Sequence, residues 1–278
     1  MSGEKRLSGK FVLLRTGGLG DFVLVVPLLL ALDRLGYDII VATRRSYFDI
    51  IDGISAKLTF LDVDEIMVSA DEASLRSTFR EATVLSFWRD VDGSLKKRFK
   101  SFGALRLIEM ESRPEKPPHF TKRIFQKVGI QWEENYLCRS WLSPRHLTGD
   151  SLWVHPGSGS LTKNAPPSWY LQYIEEWLRK GEGDSVVVSF GEADDWVEKE
   201  FREFRGHLPL EILHPRTPLE LKEELIKRAQ LFVGNDTGPS HLSAALGIPT
   251  EVVFNVTNPL VWRPVGEKVK VLLEENLS

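Results

Sequence analysis

Three apolar, strand-like runs in this chain each end in a loop of glycine and small polar residues, and each loop leads into the next element. The loops are RTGGLGD (15–21), HPGSGS (155–160) and GNDTG (234–238). Strands that alternate with helices through such loops predict βαβ units, which form parallel sheets. Open α/β sheets bind ligands at the carboxyl ends of their strands. The three loops are therefore the first candidates for a functional site.

The rest of the sequence continues this alternation of strands and helices through both halves of the chain. In the first half we expect strands at 11–14, 37–43, 65–68 and 82–87, and a helix over 21–35 that Gly36 ends. In the second half we expect strands at the starts of 151–160 and 184–192, and a strand, a loop, a short helix and a second strand within 231–255. We expect longer helices over 167–181 and 217–230, the second capped by Thr217. Turn-forming residues at 143–150 separate the halves. This predicts two domains, 1–147 and 148–278, each with a doubly wound parallel sheet.

Composition excludes several classes of protein. The net charge of −3 over 278 residues gives no electrostatic reason to coat nucleic acid. The single cysteine, Cys138, permits no internal disulfide and no cysteine-rich zinc site, and the histidines lack metal-ligand spacing. The polar segment 1–10 lacks the apolar core of a signal peptide. The most apolar stretch, 22–32, is interrupted by Pro27 and is too short for a membrane-spanning helix. We expect a cytoplasmic protein with no metal, no organic cofactor and no nucleic-acid partner.

The first loop places a carboxylate, Asp21, where a phosphate-binding loop would avoid one. A dinucleotide fingerprint does not fit, because Val23 stands where its third small residue belongs, although Arg44 and Arg45 leave an NADP site open. One interpretation is a glycine turn in which Asp21 caps the helix. The other is a general base: the helix dipole holds Asp21 ionised, and Gly18 and Gly20 let a substrate hydroxyl approach it closely.

The loops of the second half carry groups suited to an anion. Ser158 and Gly159 belong to a run of small residues whose amides can form an oxyanion nest, and Lys163 adds a point charge. An ordinary glycine-serine turn is the competing interpretation for this loop. Glu192, after the next strand, is either a ribose ligand or a solvated acid.

The third loop gives the strongest of these signals. Asp236, Thr237 and Gly238 stand at the start of a helix of small residues, with His241 one turn further on. A helix start with free amides is an anion-binding site. The basic run at Lys96, Lys97 and Arg98 is different: it is either a solvated helix face or a patch for an anionic acceptor at a membrane surface.

Together, the segments 13–32, 155–170 and 234–266 resemble the ADP-heptose:lipopolysaccharide heptosyltransferases, glycosyltransferase family 9. The resemblance implies the GT-B fold, with two Rossmann-like domains facing a central cleft. It implies that the N-terminal domain binds a lipid A–inner core acceptor and that the C-terminal domain binds a nucleotide-activated heptose. It further implies that Asp21 is the catalytic base and that Lys163 binds phosphate. By the same resemblance Glu192 contacts the ribose, and the donor diphosphate and sugar are held by Asp236, Thr237, Gly238 and His241.

The resemblance and the residues together predict a metal-independent, inverting glycosyltransferase. It would move a heptose or related sugar from an ADP-linked donor to a lipopolysaccharide inner-core or similar glycan acceptor. Peripheral contact with the inner leaflet of the cytoplasmic membrane is part of this hypothesis. Three alternatives stay open: a nucleotide-sugar-binding protein without transferase activity, an epimerase or hydrolase of the same fold, and an NADP oxidoreductase.

Overall fold

The computed structural model describes residues 9–51, 55, 57–68, 71–144, 146–206 and 208–273. The polar segment that we excluded as a signal peptide lies mostly outside these residues. By its internal contacts the chain divides into two compact units. One comprises Met1–Pro114 and Phe120–Trp132, and the other comprises Glu115–His119 and Glu133–Ser278.

The first unit is built on a five-stranded, all-parallel sheet in the order β3-β2-β1-β4-β5. Its strands are β1 (Lys10–Leu14), β2 (Asp38–Thr43), β3 (Leu58–Asp62), β4 (Ala82–Ser86) and β5 (Arg106–Glu109). The apolar run Phe11–Leu14 is buried because helices cover both faces of the central strand. The strand order reverses between β1 and β4, and the loops that follow these strands are where such sheets bind ligands.

The helices of this unit differ from the expectation at the first glycine loop. They are α1 (Leu19–Val23), α2 (Val26–Arg34), α3 (Phe48–Ile51), α4 (Val63–Val68), α5 (Glu72–Phe79), α6 (Ser94–Ser101) and α7 (Phe120–Val128). The single helix predicted over 21–35 is wrong: Pro27, in the first turn of α2, has no amide to continue α1. Thr121 of α7 donates to the carbonyl of Leu24 at this break (2.9 Å).

The strand predicted at 65–68 is also wrong. That segment is helical within α4, and the strand lies just before it as β3. Asp62 marks the change, because its carboxylate accepts a hydrogen bond from the amide of Asp64 (3.1 Å) and so begins a turn.

The second unit contains a six-stranded parallel sheet in the order β11-β10-β9-β6-β7-β8. Its strands are β6 (Ser151–His155), β7 (Val186–Ser189), β8 (Leu210–Leu213), β9 (Ala229–Asn235), β10 (Thr250–Phe254) and β11 (Val269–Leu273). Its helices are α8 (Pro167–Lys180), α9 (Asp195–Phe204), α10 (Pro218–Arg228), α11 (Gly238–Leu246) and α12 (Pro259–Trp262). Thr217 caps α10 as predicted, accepting from the amide of Glu220 (3.1 Å). Here the order reverses between β6 and β9.

The division between the units falls before the turn-rich segment that suggested a boundary at 147/148. Residues 133–144 and 146–150 belong to the second unit, because they bond to its helices. The amide of Leu142 donates to the carbonyl of Ala245 in α11 (2.8 Å), and Ser140 Oγ donates to Ala244 (3.2 Å). In the described ranges no helix is long and apolar enough to cross a membrane.

Candidate functional site

In the first unit, the loop that follows β1 holds Asp21 by both of its carboxylate oxygens. Oδ2 accepts from the amide of Gly18 (3.0 Å), and Oδ1 lies 2.7 Å from Nη2 of Arg15. Asp21 is the third residue of α1 and not its N-cap, which is Gly18. Its side chain remains 35% exposed, whereas that of Arg15 is 3% exposed. The loop therefore presents an oriented carboxylate to solvent.

The glycines of this loop are not equivalent. A Cβ on Gly17 would stand 2.2 Å from Asp21 Oδ2, so only glycine fits there. A Cβ on Gly18 would meet nothing within 4 Å, which leaves room beside the carboxylate. Gly20 is buried within α1. Two aromatic residues anchor the loop from other elements: Tyr47 donates to the carbonyl of Gly17 (3.3 Å), and Trp88 donates to Thr16 Oγ1 (3.2 Å).

The basic run lies on α6 with its three side chains exposed, as a solvated helix face would. The amino end of this helix is already occupied by a carboxylate. Asp90 Oδ1 accepts from the amide of Leu95 and its Oδ2 accepts from that of Lys96, both at 3.0 Å. No contact in the described part of the chain joins Lys96, Lys97 or Arg98 to Asp21, and their acceptor-binding role stays a prediction.

In the second unit, Asn235 joins the loops that follow β6 and β9. This side chain is fully buried at the carboxyl end of β9. Its Nδ2 donates to the carbonyl of Pro156 (2.8 Å) and to Asn164 Oδ1 (3.2 Å). Its Oδ1 accepts from the amide of Ala165 (2.9 Å) and from Tyr170 Oη (2.8 Å). One amide thus fixes both ends of the segment that contains Ser158, Gly159 and Lys163.

Asp236, the next residue, is a buried carboxylate with three partners. Lys163 Nζ lies 3.0 Å from Oδ2, Thr257 Oγ1 donates to Oδ2 (2.6 Å), and His241 Nε2 lies 3.3 Å from Oδ1. Burial disfavours the charged form of Asp236, but the hydrogen bonds and the positive charges of His241 and Lys163 outweigh it and lower its pKa to about 2. The structure therefore brings together three of the predicted donor residues and adds Thr257.

The start of α11 and the glycine-serine loop supply backbone donors near this carboxylate. Thr237 is the N-cap of α11 and makes no side-chain capping bond, so the amides of Gly238 and Ser240 can donate to a ligand, whereas Pro239 between them has no amide hydrogen. Ser158 instead turns inward, donating to the carbonyl of Ser160 (2.6 Å). Gly159 has open space where a Cβ would be.

The third acid of the prediction, Glu192, is exposed on the loop after β7, and the buried acid of that loop is Asp194. Asp194 Oδ2 accepts from the amide of Gly191 (2.7 Å) and lies 3.7 Å from His155 Nε2. A Cβ on Gly157 would stand 2.1 Å from Asp194 Cγ, so this glycine makes room for the carboxylate. Burial lowers the pKa of His155, against the attraction of Asp194.

Asp194 and Thr257 are the residues that the sequence interpretation missed. Three acids lie within the four residues 192–195, and spacing alone does not tell which of them turns under the neighbouring loop. Gly157 is the signal that could have found Asp194, because a glycine in a loop can mark a place where another group approaches the backbone closely. Within the described ranges, no group of three or more histidine, cysteine or acidic side chains is placed to hold a metal ion.

Comparison with known proteins supports the family resemblance that was inferred from the loop sequences of the second unit. Residues 155–278 match the family model described as glycosyltransferase family 9 (heptosyltransferase). A curated Haemophilus influenzae protein named "Putative glycosyltransferase" is 26% identical over 157 residues, which cover 55% of this chain. The match spans 43% of that relative, less than half of its length. The resemblance inferred from the loops is thereby confirmed for the C-terminal part of the chain.

Solved structures agree with the fold over nearly the whole chain. The glycosyl transferase family 9 protein of Veillonella parvula has a TM-score of 0.70 at 16% identity, over 95% of this chain and 87% of that one. E. coli heptosyltransferase WaaC with ADP has a TM-score of 0.65 at 15% identity, over 97% and 95% of the two chains. The predicted α/β architecture, with two Rossmann-like parallel sheets, is confirmed.

Proposed function

We propose that this protein is an inverting, metal-independent glycosyltransferase. It moves a heptose or related sugar from an ADP-activated donor to a lipopolysaccharide inner-core or similar glycan acceptor. The observation that carries the proposal is the partly exposed carboxylate of Asp21, held by Gly18 and Arg15 at the reversal point of the first sheet. A carboxylate so placed can accept a proton from an acceptor hydroxyl.

The reaction then needs one proton transfer and one displacement. Asp21 takes the proton of the acceptor hydroxyl as that oxygen attacks the anomeric carbon of the donor. The new carbon–oxygen bond forms on the face opposite the diphosphate, and the old one breaks. Its electron pair leaves with ADP, so the configuration at the anomeric carbon is inverted.

The leaving diphosphate requires positive charge, and the second unit supplies it without a metal. Lys163 is 32% exposed, which leaves its ammonium able to reach a ligand while it contacts Asp236. The amides of Gly238 and Ser240 at the start of α11 and the amide of Gly159 add donors. Such preorganised groups stabilise charge that develops in the transition state. The family match of 155–278 and the ADP in the WaaC structure support ADP as the nucleotide.

Two features of the first unit suit it to bind the acceptor. Open space beside Gly18 admits a hydroxyl next to Asp21, and the exposed cations of α6 favour an acceptor with negative charge. We place the reaction in the cytoplasm, with peripheral contact to the inner leaflet through such an acceptor.

The test starts with ligand choice. Thermal-shift screening with ADP, UDP, GDP and NADPH should show stabilisation by ADP, about 2.7 kcal/mol at 100 times its dissociation constant. Incubation with ADP-heptose and a heptose-free inner-core glycolipid should then give a glycosylated lipid with the anomeric configuration inverted in its NMR spectrum. ADP binding without transfer to any acceptor would favour a binding protein, and sugar release without acceptor would favour a hydrolase.

A further inference from the structure

Arg15 is a buried charge that contacts Asp21, and the consequence of this contact for the proposed reaction follows from its surroundings. Its guanidinium carbon lies 4.2 Å from the ring centroid of Phe87 and 5.2 Å from that of Phe120. Its backbone amide donates to the carbonyl of Ala42 on the neighbouring strand (3.0 Å). Burial lowers the pKa of Arg15, and the negative charge of Asp21 opposes this. A guanidinium is seldom buried without a charge partner.

That partner is one oxygen of Asp21. The ion pair of 2.7 Å joins Arg15 Nη2 to Oδ1, while Oδ2 belongs to the amide of Gly18. Two points of attachment, one on each oxygen, fix both the position and the rotation of a carboxylate. A single attachment at Gly18 would leave the carboxylate free to rotate about χ2.

The arginine side chain is itself buried, at 3% exposure, against two aromatic rings. Phe87 follows β4 and Phe120 begins α7, so the two rings that lie against the guanidinium come from different parts of the fold. Both rings are buried, at 6% and 0% exposure. Asp21 is confined as well, because Gly17 lies against its carboxylate. The aim of the carboxylate is thus set by packing.

We propose that Arg15 is a positioning residue for the reaction: held by Phe87 and Phe120, it aims the Asp21 carboxylate at the acceptor hydroxyl without contacting substrate. This inference rests on the proposed function of Asp21. A positioning role predicts a lower kcat in an Arg15 variant. A donor-binding role predicts a higher KM for ADP-heptose, and a purely structural role predicts a loss of folding.

The kinetic test uses Arg15→Met, which keeps most of the volume and removes the fork. We expect kcat to fall about 100-fold, the size of effect that a displacement of about 1 Å produces. The KM for ADP-heptose and the Kd for ADP should stay within about twofold of the wild type, because the donor-binding groups are untouched. Arg15→Lys should recover part of the loss, because it restores the charge but not the planar fork. Arg106→Met, an exposed arginine at the amino end of β5, is the matched control and should leave kcat unchanged.

A double-mutant cycle shows whether Arg15 acts through Asp21. If it does, Arg15→Met should lower the residual rate of Asp21→Asn by less than about threefold, because the group that it positions is already gone. Losses that multiply in the double variant would overturn the proposal. So would a raised ADP-heptose KM with unchanged kcat in Arg15→Met.

A readout that needs no transfer keeps this inference separate from the proposed function. In protein labelled with ¹³C at aspartate carboxyls, the Asp21 signal is the one lost in Asp21→Asn. Arg15→Met should shift this signal, and Arg106→Met should not. If the wild type transfers no sugar, the proposed function fails, yet a shifted signal still shows that Arg15 contacts the Asp21 carboxylate in solution, as the positioning role requires. An unshifted signal in a folded Arg15→Met variant refutes positioning, whatever the activity.

Discussion

Lys163 Nζ lies 3.0 Å from Asp236 Oδ2, so the cation predicted to bind phosphate is already paired with a buried acid. This pairing orients the ammonium and keeps it at the start of α11. We expect a diphosphate at this place to meet a lysine whose position Asp236 has already set. Such preorganisation lowers the cost of binding.

The first prediction concerns this pair. Lys163→Met should raise the Kd for ADP roughly 10- to 100-fold, because a hydrogen bond between charged groups contributes about 1.5–3 kcal/mol. Isothermal titration calorimetry measures the change. Lys180→Met, an exposed lysine at the end of α8, serves as the control and should bind ADP like the wild type. An unaltered Kd in Lys163→Met would remove this lysine from the donor site.

The second prediction concerns the base. Asp21→Asn keeps the shape of the side chain but cannot accept a proton, so the transfer rate should fall by about 10²–10⁴. ADP affinity should be unchanged, since Asp21 belongs to the first unit and the proposed donor residues belong to the second. Because the change leaves Arg15 without its partner, circular dichroism must first show that the variant is folded. A folded variant with normal turnover would exclude Asp21 as the base.

The third prediction compares two adjacent glycines. Gly17→Ala would place a methyl group 2.2 Å from Asp21 Oδ2, which forces the carboxylate or the loop to move. We expect a loss of about 1–3 kcal/mol in the free energy of unfolding, as overpacking commonly costs. Gly18→Ala meets nothing within 4 Å and has an ordinary backbone φ of −67°, so its stability should match the wild type. Urea unfolding of both variants measures the difference; equal stabilities would contradict the described loop.

The fourth prediction follows from the pKa of Asp236. Its folded value of about 2 lies below the ordinary 3.8, so the stabilisation is present above pH 3.8 and is lost as the pH falls toward 2. The difference corresponds to roughly 2 kcal/mol in the free energy of unfolding. Urea unfolding at about pH 5 and about pH 2.5 should show a smaller decrease in Asp236→Asn than in the wild type. An equal decrease in the free energy of unfolding of both proteins would show that another group, not Asp236, causes the loss of stability in acid.

The fifth prediction covers a separate pH range. Burial lowers the pKa of His119 to about 4, while the unfolded chain titrates near 6.5. Protonation therefore favours unfolding as the pH drops from about 6.5 to about 4, by roughly 3 kcal/mol. His119→Gln keeps a donor for the carbonyl of Arg263 and has no such titration. Its free energy of unfolding should change less between about pH 7 and about pH 4.5; a slope equal to that of the wild type would contradict the assignment.

Much of the fold could be predicted because apolar runs and glycine loops are local signals. Near-continuous apolar text marks the strands β1, β2, β4, β6, β7, β9 and β10. The sequence interpretation missed β5, β8 and β11, since these edge strands leave most of their side chains exposed or half-exposed and lack that pattern.

The sequence was enough to identify the loops that form the candidate site, but it did not show which side chains within these loops contact each other. Asp21 and Asp236 stand shortly after strands, which places them at the ligand edge of a parallel sheet. That Asp194 is buried while Glu192 is exposed depends on how one loop folds beneath another. Such a choice is made by tertiary contacts, and the glycine at 157 is the one sign of this contact that the sequence carries.

Asn235 has a consequence for how this scaffold can diversify. The side-chain amide of Asn235 donates to both Pro156 and Asn164. Residues 157–163 therefore form a loop whose two ends are held together by one buried side chain. Insertions, deletions or exchanges inside that loop leave its ends in place. The chain can thus vary the surface of this loop, which we propose to face the nucleotide sugar, without changing the sheet beneath it.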